Sequence, residues 1–209
     1  MTVRVVVTGT DTGIGKTVFS AGLTRMLDAY YWKPIQAGLE GETDSSVVRR
    51  LSGLPVDRIL PEYWRLKTPA SPHLAAERDG VQIDPSSLSP PCIERPLIIE
   101  GAGGLMVPLT RRELLIDLLN RWKIPVVLCA RTALGTLNHT LLSLEALQRR
   151  GIPVIGVALI GDVHRDNERT LGEMGGIPIL GVLPRLDPLT PDALAAAFAI
   201  SFRRDSFLT

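Results

Sequence analysis

Short apolar runs alternate along the chain with longer segments in which apolar residues recur at helical spacing. The runs are nearly continuous in apolar side chains and rich in β-branched residues, as expected of strands buried on both faces of a sheet. They span residues 3–8, 31–35, 96–100, 125–130, 154–160 and 179–183. The segments between them predict helices at residues 16–29, 45–52, 112–122, 137–150, 167–174 and 191–202.

The alternation of strands and helices predicts the fold class. It favours an α/β protein with a mostly parallel sheet and helices on both faces, a three-layer sandwich. Residues 54–95 differ, because they are rich in proline and show little periodicity. We interpret them as an excursion with a short helix near residues 73–79, of the kind that often carries function, and not as a second domain. Residues 1–209 are therefore predicted to form a single domain.

Composition and charge narrow the range of partners. The 209 residues include 23 basic and 22 acidic side chains, and the net charge of +1 gives no electrostatic reason to expect nucleic acid or an anionic membrane surface. The sequence shows neither a bilayer-spanning apolar run nor a signal-peptide pattern. Cys129 is predicted to be a buried thiol, and the three histidines are too dispersed for a zinc site. We expect a cytoplasmic protein without nucleic acid or membrane partners.

A glycine-rich turn joins the first predicted strand to the first predicted helix, and reads Gly-Thr-Asp-Thr-Gly-Ile-Gly-Lys-Thr over residues 9–17. Glycines let backbone N–H groups converge on phosphate oxygens, and the helix start adds unpaired N–H groups. Lys16 can reach the β and γ phosphates, and the Thr17 hydroxyl can bind magnesium. The sequence therefore predicts a P-loop NTPase-like sandwich that binds ATP. The predicted contacts on this phosphate loop are Gly13, Ile14, Gly15, Lys16, Thr17 and Val18.

Several further segments, together with this loop, resemble those of the dethiobiotin synthetases. The loop departs from the standard P-loop pattern by one residue, because Thr10 stands where a glycine is usual. The other similar segments are Lys-Pro-Ile-Gln-Ala-Gly at residues 33–38, Asp44, Ser-Pro-His at 71–73, Glu-Gly-Ala-Gly-Gly at 100–104, Gly-Thr-Leu-Asn-His at 135–139 and Leu-Gly-Val-Leu-Pro at 180–184. The resemblance thus covers most of the chain.

The resemblance implies an ATP-dependent ligase of biotin biosynthesis. In that reaction 7,8-diaminononanoate, carbon dioxide and ATP give dethiobiotin, ADP and phosphate. One amine takes up carbon dioxide as a carbamate, the carbamate attacks the γ-phosphoryl group, and the second amine closes the ureido ring on the mixed anhydride. The resemblance also implies Mg²⁺ as cofactor and a homodimer, in which the helix start at Asn138 reaches the diamine bound to the neighbouring subunit.

The residues at the similar positions have the chemistry that these roles require. A carbamate that approaches a triphosphate brings two anions together, and Lys16 and Lys33 are cations that can neutralise them, so both are predicted to be catalytic. Thr17, Asp44 and Glu100 offer the oxygen ligands that magnesium prefers. Simpler interpretations stay open: Asp44 can cap a helix, and Lys33 can be a surface lysine.

The resemblance supplies the remaining site residues. The further nucleotide contacts are Asp44, Glu100, Gly101, Ala102, Gly103, Asp162 and Pro184. The substrate contacts are Thr12, Lys33, Ala37, Gly135, Thr136 and Asn138. Two positions depart from the family pattern. Ala37 lacks a hydroxyl that often touches the substrate, a loss of about 1 kcal/mol. Gly161 replaces a frequent asparagine near the adenine, which predicts either looser recognition of the base or recognition by the backbone near Pro184.

Three other functions compete with this interpretation. A partition or positioning ATPase would be a switch protein of the same P-loop class, but its loop carries an additional lysine where this chain has Asp11. An amide-forming synthetase that acts on a corrinoid has no need for the segments at residues 33–34 and 100–103 together. A pure nucleotide-binding module does not need a second lysine directed at the γ-phosphate.

Overall fold

Nine strands and seven α-helices lie within residues 2–208, the part of the chain that the computed structural model describes. Met1 and Thr209, the ends of the predicted single domain, lie outside the described residues. The strands are β1 (Arg4–Gly9), β2 (Tyr30–Trp32), β3 (Ile35–Ala37), β4 (Ile59–Leu60), β5 (Trp64–Leu66), β6 (Leu97–Glu100), β7 (Val126–Arg131), β8 (Val154–Ile160) and β9 (Ile179–Leu183). The helices are α1 (Lys16–Leu27), α2 (Asp44–Ser52), α3 (Pro72–Asp79), α4 (Leu115–Trp122), α5 (Thr136–Arg149), α6 (Arg165–Gly175) and α7 (Pro191–Ser201).

Seven strands form one parallel sheet in the order β4-β2-β6-β1-β7-β8-β9. Because side chains alternate along a strand, β1 contributes to two cores. Val5 and Val7 pack on one face with residues of α1, α2 and α7, and Val6 packs on the other face with residues of α3, α4 and α5. Helix α6 covers that second face at β7 and β8. The predicted α/β sandwich with helices on both faces is confirmed.

The prediction of one strand at residues 31–35 is wrong. The chain leaves the main sheet after β2, and β3 pairs with β5 in a separate two-stranded parallel sheet. Pro34 lies at the break, and it has no N–H to donate to a strand ladder. Its carbonyl oxygen accepts instead from the backbone N–H groups of Tyr63 and Trp64, at 3.0 and 2.9 Å. Lys33 therefore lies at the point where the two sheets separate.

The segment at residues 54–95 contains the short helix that was expected near residues 73–79, as α3. It also contains β4 and β5, which the sequence interpretation missed because strands of two and three residues show no periodicity. Leu66, Ala75 and Leu88 pack in the same core as Ile99 of the main sheet. The excursion thus lies against the sheet near the end of β6.

Three smaller observations complete the fold. Helix α4 starts three residues later than predicted, because the preceding chain turns back and the backbone of Pro108 pairs with that of Leu114. The Cys129 thiol is buried as predicted, and its burial raises its pKa. Within residues 2–208, the helices are all too short or too polar to cross a bilayer.

Candidate active site

The carboxyl ends of neighbouring parallel strands bring the predicted catalytic segments to one edge of the sheet. The phosphate loop follows β1, Glu100 ends β6, and Lys33 follows β2. These three strands are adjacent in the sheet, in the order β2-β6-β1. An open α/β sheet binds its ligands at this edge, and the side chains described below meet there.

The phosphate loop turns tightly from β1 into α1. Gly15 is the N-cap of α1 with a φ of 98°, and a Cβ at this position would lie 2.9 Å from Ile160 Cγ2. No side chain caps the start of α1, so its first N–H groups remain free to bind an anion. The predicted contacts Gly13 to Val18 form this turn and the first residues of the helix.

Lys16 folds back over its own loop. Its Nζ donates a hydrogen bond to the carbonyl oxygen of Asp11 at 2.8 Å. Burial lowers the pKa of Lys16, and the charge of Lys33 acts in the same direction, whereas Glu100 opposes them. A buried cation that lacks a carboxylate partner of its own is stabilised by an incoming anion.

Thr17, Asp44 and Glu100 bring three oxygen atoms together. Thr17 Oγ1 lies 2.9 Å from Glu100 Oε1 and 3.2 Å from Asp44 Oδ1. The hydroxyl carries one hydrogen and can donate to only one carboxylate at a time. Asp44 is the first residue of α2, whereas Thr43 is its N-cap and accepts from the N–H of Ser46, so the interpretation of Asp44 as a simple cap is wrong.

Lys33 is 4% exposed, which rules out the alternative of a surface lysine. Its Nζ lies 2.5 Å from Asp44 Oδ2 and 3.4 Å from Glu100 Oε1. Burial acts to lower the pKa of Lys33, but Glu100 and Asp44 together outweigh it and the pKa is raised. Burial likewise acts to raise the pKa of Asp44, and Lys33 lowers it. Lys33 and Asp44 are therefore both charged at neutral pH.

The sequence interpretation missed Tyr31, which it treated as an ordinary core residue. Its hydroxyl donates to Glu100 Oε2 at 2.9 Å. Strand pairing offers the signal that could have found it: Tyr31 lies opposite Ile98 in the parallel register, and Glu100 is two residues farther on. Tyr31 and Glu100 therefore point to the same face of the sheet.

A cavity of about 460 Å³ opens beside Lys33. Three of the predicted substrate residues, Thr12, Lys33 and Ala37, line it. Its remaining walls come from Asp44, from residues 69–72 of the excursion, and from the loop after β6. Cationic and acidic groups thus meet at one end of a space that is large enough for a small organic substrate.

The loop after β6 runs alongside the phosphate loop. Ala102 and Gly103 line the cavity, and a Cβ on Gly103 would lie 3.2 Å from Thr12 Oγ1. The Gly101 N–H donates to the carbonyl oxygen of Val7, and its own carbonyl oxygen lies 3.5 Å from Lys33 Nζ. The predicted contacts Gly101, Ala102 and Gly103 thus lie between the phosphate loop and Lys33.

The other predicted substrate residues lie apart from this cavity. Gly135 is the N-cap of α5 and Asn138 is in its first turn, and both are exposed. Thr136 is buried, with its Oγ1 3.3 Å from Thr140 Oγ1. Among the residues described, none of these three lines the space beside Lys33. Within one subunit, the structure does not bring them to the predicted substrate site.

Asp162 lies at a second cavity, of about 290 Å³, on the other side of the phosphate loop. Arg131, His164 and Arg185 also line it. The guanidinium of Arg131 lies 3.3 Å from Asp11 Oδ2, which links this cavity to the phosphate loop. Pro184 follows β9 and is exposed, but it is not among the residues that line this cavity.

Comparisons with known proteins identify relatives of this chain. Residues 3–193 match the family model described as an AAA domain. The ATP-dependent dethiobiotin synthetase BioD of Rhodopseudomonas palustris (strain HaA2) is 63% identical over 208 residues, which cover 100% of this chain and 98% of that protein. The protein of the same name from Agrobacterium fabrum (strain C58 / ATCC 33970) is 62% identical with the same coverage.

A solved structure is similar at a greater distance. The septum site-determining protein MinD, complexed with Mg-ADP, from Pyrococcus horikoshii OT3 superimposes with a TM-score of 0.55 at 17% identity. The likeness covers 94% of this chain and 86% of that one. At this level of identity it concerns the fold alone.

Proposed function

This chain belongs to the ATP-dependent dethiobiotin synthetase family, and on that premise we propose which of its residues perform the ring-closing reaction. The protein is an ATP-dependent ligase of biotin biosynthesis. The partition-type ATPase is the weaker alternative, because it is supported only by a likeness of fold. The residue roles, magnesium, carbon dioxide as a substrate, the homodimer and the cytoplasmic location are parts of our proposal.

We propose that the triphosphate of ATP binds to Gly13, Gly15, Lys16 and Thr17. The free N–H groups at the start of α1 support this role, because they offer donors to phosphate oxygens. When the nucleotide binds, Lys16 Nζ gives up its hydrogen bond to the carbonyl oxygen of Asp11 and contacts the β and γ phosphates instead. The base lies toward the cavity that Asp162 lines.

Thr17, Asp44 and Glu100 fit a magnesium ion. Thr17 Oγ1 lies within 3.2 Å of one oxygen of each carboxylate, and its single hydrogen can bond to only one of them, so a cation at this point would gain oxygen ligands from all three residues. Clusters of three or more His, Cys, Asp or Glu side chains that could hold a metal do not occur within residues 2–208. A cage made entirely of protein ligands is therefore not part of the proposal. Thr17, Asp44 and Glu100 would hold the ion, which would supply positive charge to the phosphate oxygens.

The diamine substrate is assigned to the cavity beside Lys33. Its carbamate, once formed, is an anion that has to approach the γ-phosphate, and Lys33 lies between the cavity and the carboxylates that face the phosphate loop. A cation at this position lowers both the free energy of the carbamate and the repulsion in the transition state. The second amine then attacks the carbamic–phosphoric anhydride, and phosphate leaves as the ureido ring closes.

One observation carries this assignment: the Lys33 ammonium group is buried against two carboxylates at the wall of a substrate-sized cavity. To test it, the protein is incubated with ATP, ¹³C-bicarbonate and 7,8-diaminononanoate. We expect the ¹³C label in a cyclic urea product in proportion to the phosphate released. ATP hydrolysis without label in the product would contradict the proposed reaction. Lys33→Gln serves as the inactive comparison.

A homodimer would supply the contacts that a single subunit lacks. The start of α5, with Gly135, Thr136 and Asn138, would reach the diamine in the neighbouring subunit. Leu134 beside it is fully exposed, and the half-exposed Leu142 on α5 and Met106 line a groove of about 390 Å³. Exposed apolar side chains around a groove are typical of an interface. Light scattering that shows a monomer with full activity would contradict this part of the proposal.

A further inference from the structure

The two oxygens of the Glu100 carboxylate have different neighbours. Oε2 accepts the hydroxyl hydrogen of Tyr31 at 2.9 Å. Oε1 lies 2.9 Å from Thr17 Oγ1 and 3.4 Å from Lys33 Nζ. The side chain of Glu100 is almost completely buried. Only one carboxylate oxygen therefore faces the phosphate loop.

Tyr31 is held in place by the core. Its ring is fully buried on the face of the sheet that α1, α2 and α7 cover. Its strand pairs with β6, so Tyr31 and Glu100 are fixed on neighbouring strands. The phenol cannot follow if the carboxylate rotates, and rotation would leave Oε2 without its donor. Because unpaired buried polar atoms are costly, the hydrogen bond keeps Glu100 in one orientation.

We propose that Tyr31 is a positioning residue that makes Glu100 a one-oxygen ligand and so favours Mg²⁺ over the larger Ca²⁺ at this site. The proposal rests on the proposed function, because it takes Thr17, Asp44 and Glu100 as the metal ligands. Mg²⁺ is bound by one oxygen from each carboxylate in a near-octahedral arrangement, whereas Ca²⁺ often takes both oxygens of a carboxylate. Because the Tyr31 hydroxyl occupies Oε2, only Oε1 of Glu100 is available to a metal ion. One-oxygen binding of this kind suits Mg²⁺ better than Ca²⁺.

Tyr31→Phe removes the donor and keeps the ring that fills the core. Tyr30→Phe is the matched control, because Tyr30 lies on the same strand, packs on the opposite face and stacks against Arg58. The affinity of each protein for ADP is measured by calorimetry with Mg²⁺, with Ca²⁺ and with a chelator. Loss of a group that orients a metal ligand typically weakens metal binding about 10–100-fold.

For Tyr31→Phe we expect the Mg²⁺-dependent part of the ADP affinity to fall roughly tenfold and the preference for Mg²⁺ over Ca²⁺ to narrow by a similar factor. The affinity of Tyr31→Phe for ADP in the presence of the chelator should stay within a few-fold of wild type. The Tyr30→Phe protein should match wild type under all three conditions. A folded Tyr31→Phe protein that keeps the wild-type ratio of Mg²⁺ to Ca²⁺ affinity would overturn the proposal. A purely structural role would lower the melting temperature and leave that ratio unchanged.

Asp44→Asn separates this proposal from the metal site on which it rests. If Thr17, Asp44 and Glu100 do not hold the ion, Asp44→Asn leaves the Mg²⁺ dependence of ADP binding unchanged, and the proposed metal site fails together with the role of Tyr31. If Asp44→Asn loses that dependence while Tyr31→Phe keeps its ion preference, only the role of Tyr31 is wrong.

A second measurement applies if Tyr31→Phe does not fold. With 3-fluorotyrosine at position 31, the ¹⁹F resonance should move more on addition of Ca²⁺ and ADP than with Mg²⁺ and ADP, because only the larger ion competes with the phenol for Oε2. Equal or smaller movement with Ca²⁺ would overturn the proposal.

Discussion

The buried Lys33 and the partly exposed Asp44 form an ion pair, with Nζ 2.5 Å from Oδ2, although the two residues lie on separate elements of the chain. Lys33 follows β2 and Asp44 starts α2, so the pair fixes the start of a helix to the end of a strand. The same ammonium group contacts Glu100 Oε1 at 3.4 Å. One cation therefore holds two carboxylates that the proposed reaction needs for magnesium.

We expect Lys33→Gln to slow ring closure roughly 100-fold, the scale of losing one electrostatic contact in a transition state. At saturating Mg²⁺, ATP affinity should stay within a few-fold of wild type, because the proposed role of Lys33 is to neutralise the carbamate. Lys33→Arg should rescue poorly, since a planar guanidinium does not replace a compact ammonium. Lys67→Gln, at an exposed lysine, is the control. ATP affinity and the ring-closure rate are measured on the same preparations, and a loss confined to ATP affinity would make Lys33 a nucleotide ligand.

Lys16→Met should abolish phosphoryl transfer, with a loss of at least roughly 100-fold, and should also stabilise the protein without nucleotide. Burial lowers the pKa of Lys16, so the folded state resists the charged form. The charged Lys16 destabilises the fold fully at pH values below its folded-state pKa. This destabilisation disappears as the pH rises toward the pKa that Lys16 has in the unfolded chain. We therefore expect a melting temperature about 2–4 °C higher at pH 7, and a smaller gain at pH 10. An unchanged melting temperature at pH 7 would contradict the prediction.

Gly161→Asn restores the asparagine that is frequent in the family and so tests whether its absence loosens base recognition. The structure predicts that this substitution alone lowers the stability of the fold. Gly161 has a φ of 129°, and a Cβ there would lie 2.5 Å from Thr132 Oγ1. We expect a loss of roughly 1–3 kcal/mol in stability from the strained backbone and this contact. Gly41→Asn is the matched control, because its φ is also positive and its surroundings are open.

Selectivity is then compared in Gly161→Asn combined with Thr132→Ala, which removes the colliding hydroxyl. We expect the ratio of ATP to GTP affinity to rise in the double variant relative to Thr132→Ala alone. A ratio that stays the same would mean that Gly161 does not set base recognition.

Leu142→Glu should dissociate the proposed dimer, since it places a charge among the apolar side chains of the groove near Met106. We expect a monomer in light scattering. Ring closure should slow by at least about tenfold, because the start of α5 would no longer hold the diamine in place. Ile200→Glu, at an exposed position on α7, is the control. An active monomer would contradict the shared site.

The sheet and its helices were predictable because buried parallel strands leave continuous apolar runs, as β1, β7 and β8 do. The phosphate loop and Glu100 meet because the ends of parallel strands share one edge of the sheet, whereas the site role of Asp44 was expected from the resemblance. The break at Pro34 was missed because residues 31–35 were treated as one strand, although Lys33 and Pro34 interrupt the apolar residues there. Only the loss of a backbone donor at that residue shows where the strand ends.

The role of Tyr31 was hidden for a different reason. Its contact with Glu100 depends on which strands are neighbours and on their register, and neither is written in the local pattern. At the start of α5, by contrast, the sequence predicted contacts that one subunit does not form. There, a resemblance assigned substrate contacts to Gly135, Thr136 and Asn138, and one subunit does not bring them to the cavity. The assignment of those residues stays a prediction.

The separation of β3 and β5 from the main sheet has a consequence for engineering. The cavity wall at residues 35–37 and 69–72 is carried by a small sheet and the loop before α3, whereas the phosphate loop is carried by β1. Substitutions that reshape the pocket at Ala37 or Ala70 therefore fall on this small sheet and loop and not on the phosphate loop. Variant libraries restricted to this wall are a route to enzymes that form cyclic ureas from diamines of other lengths.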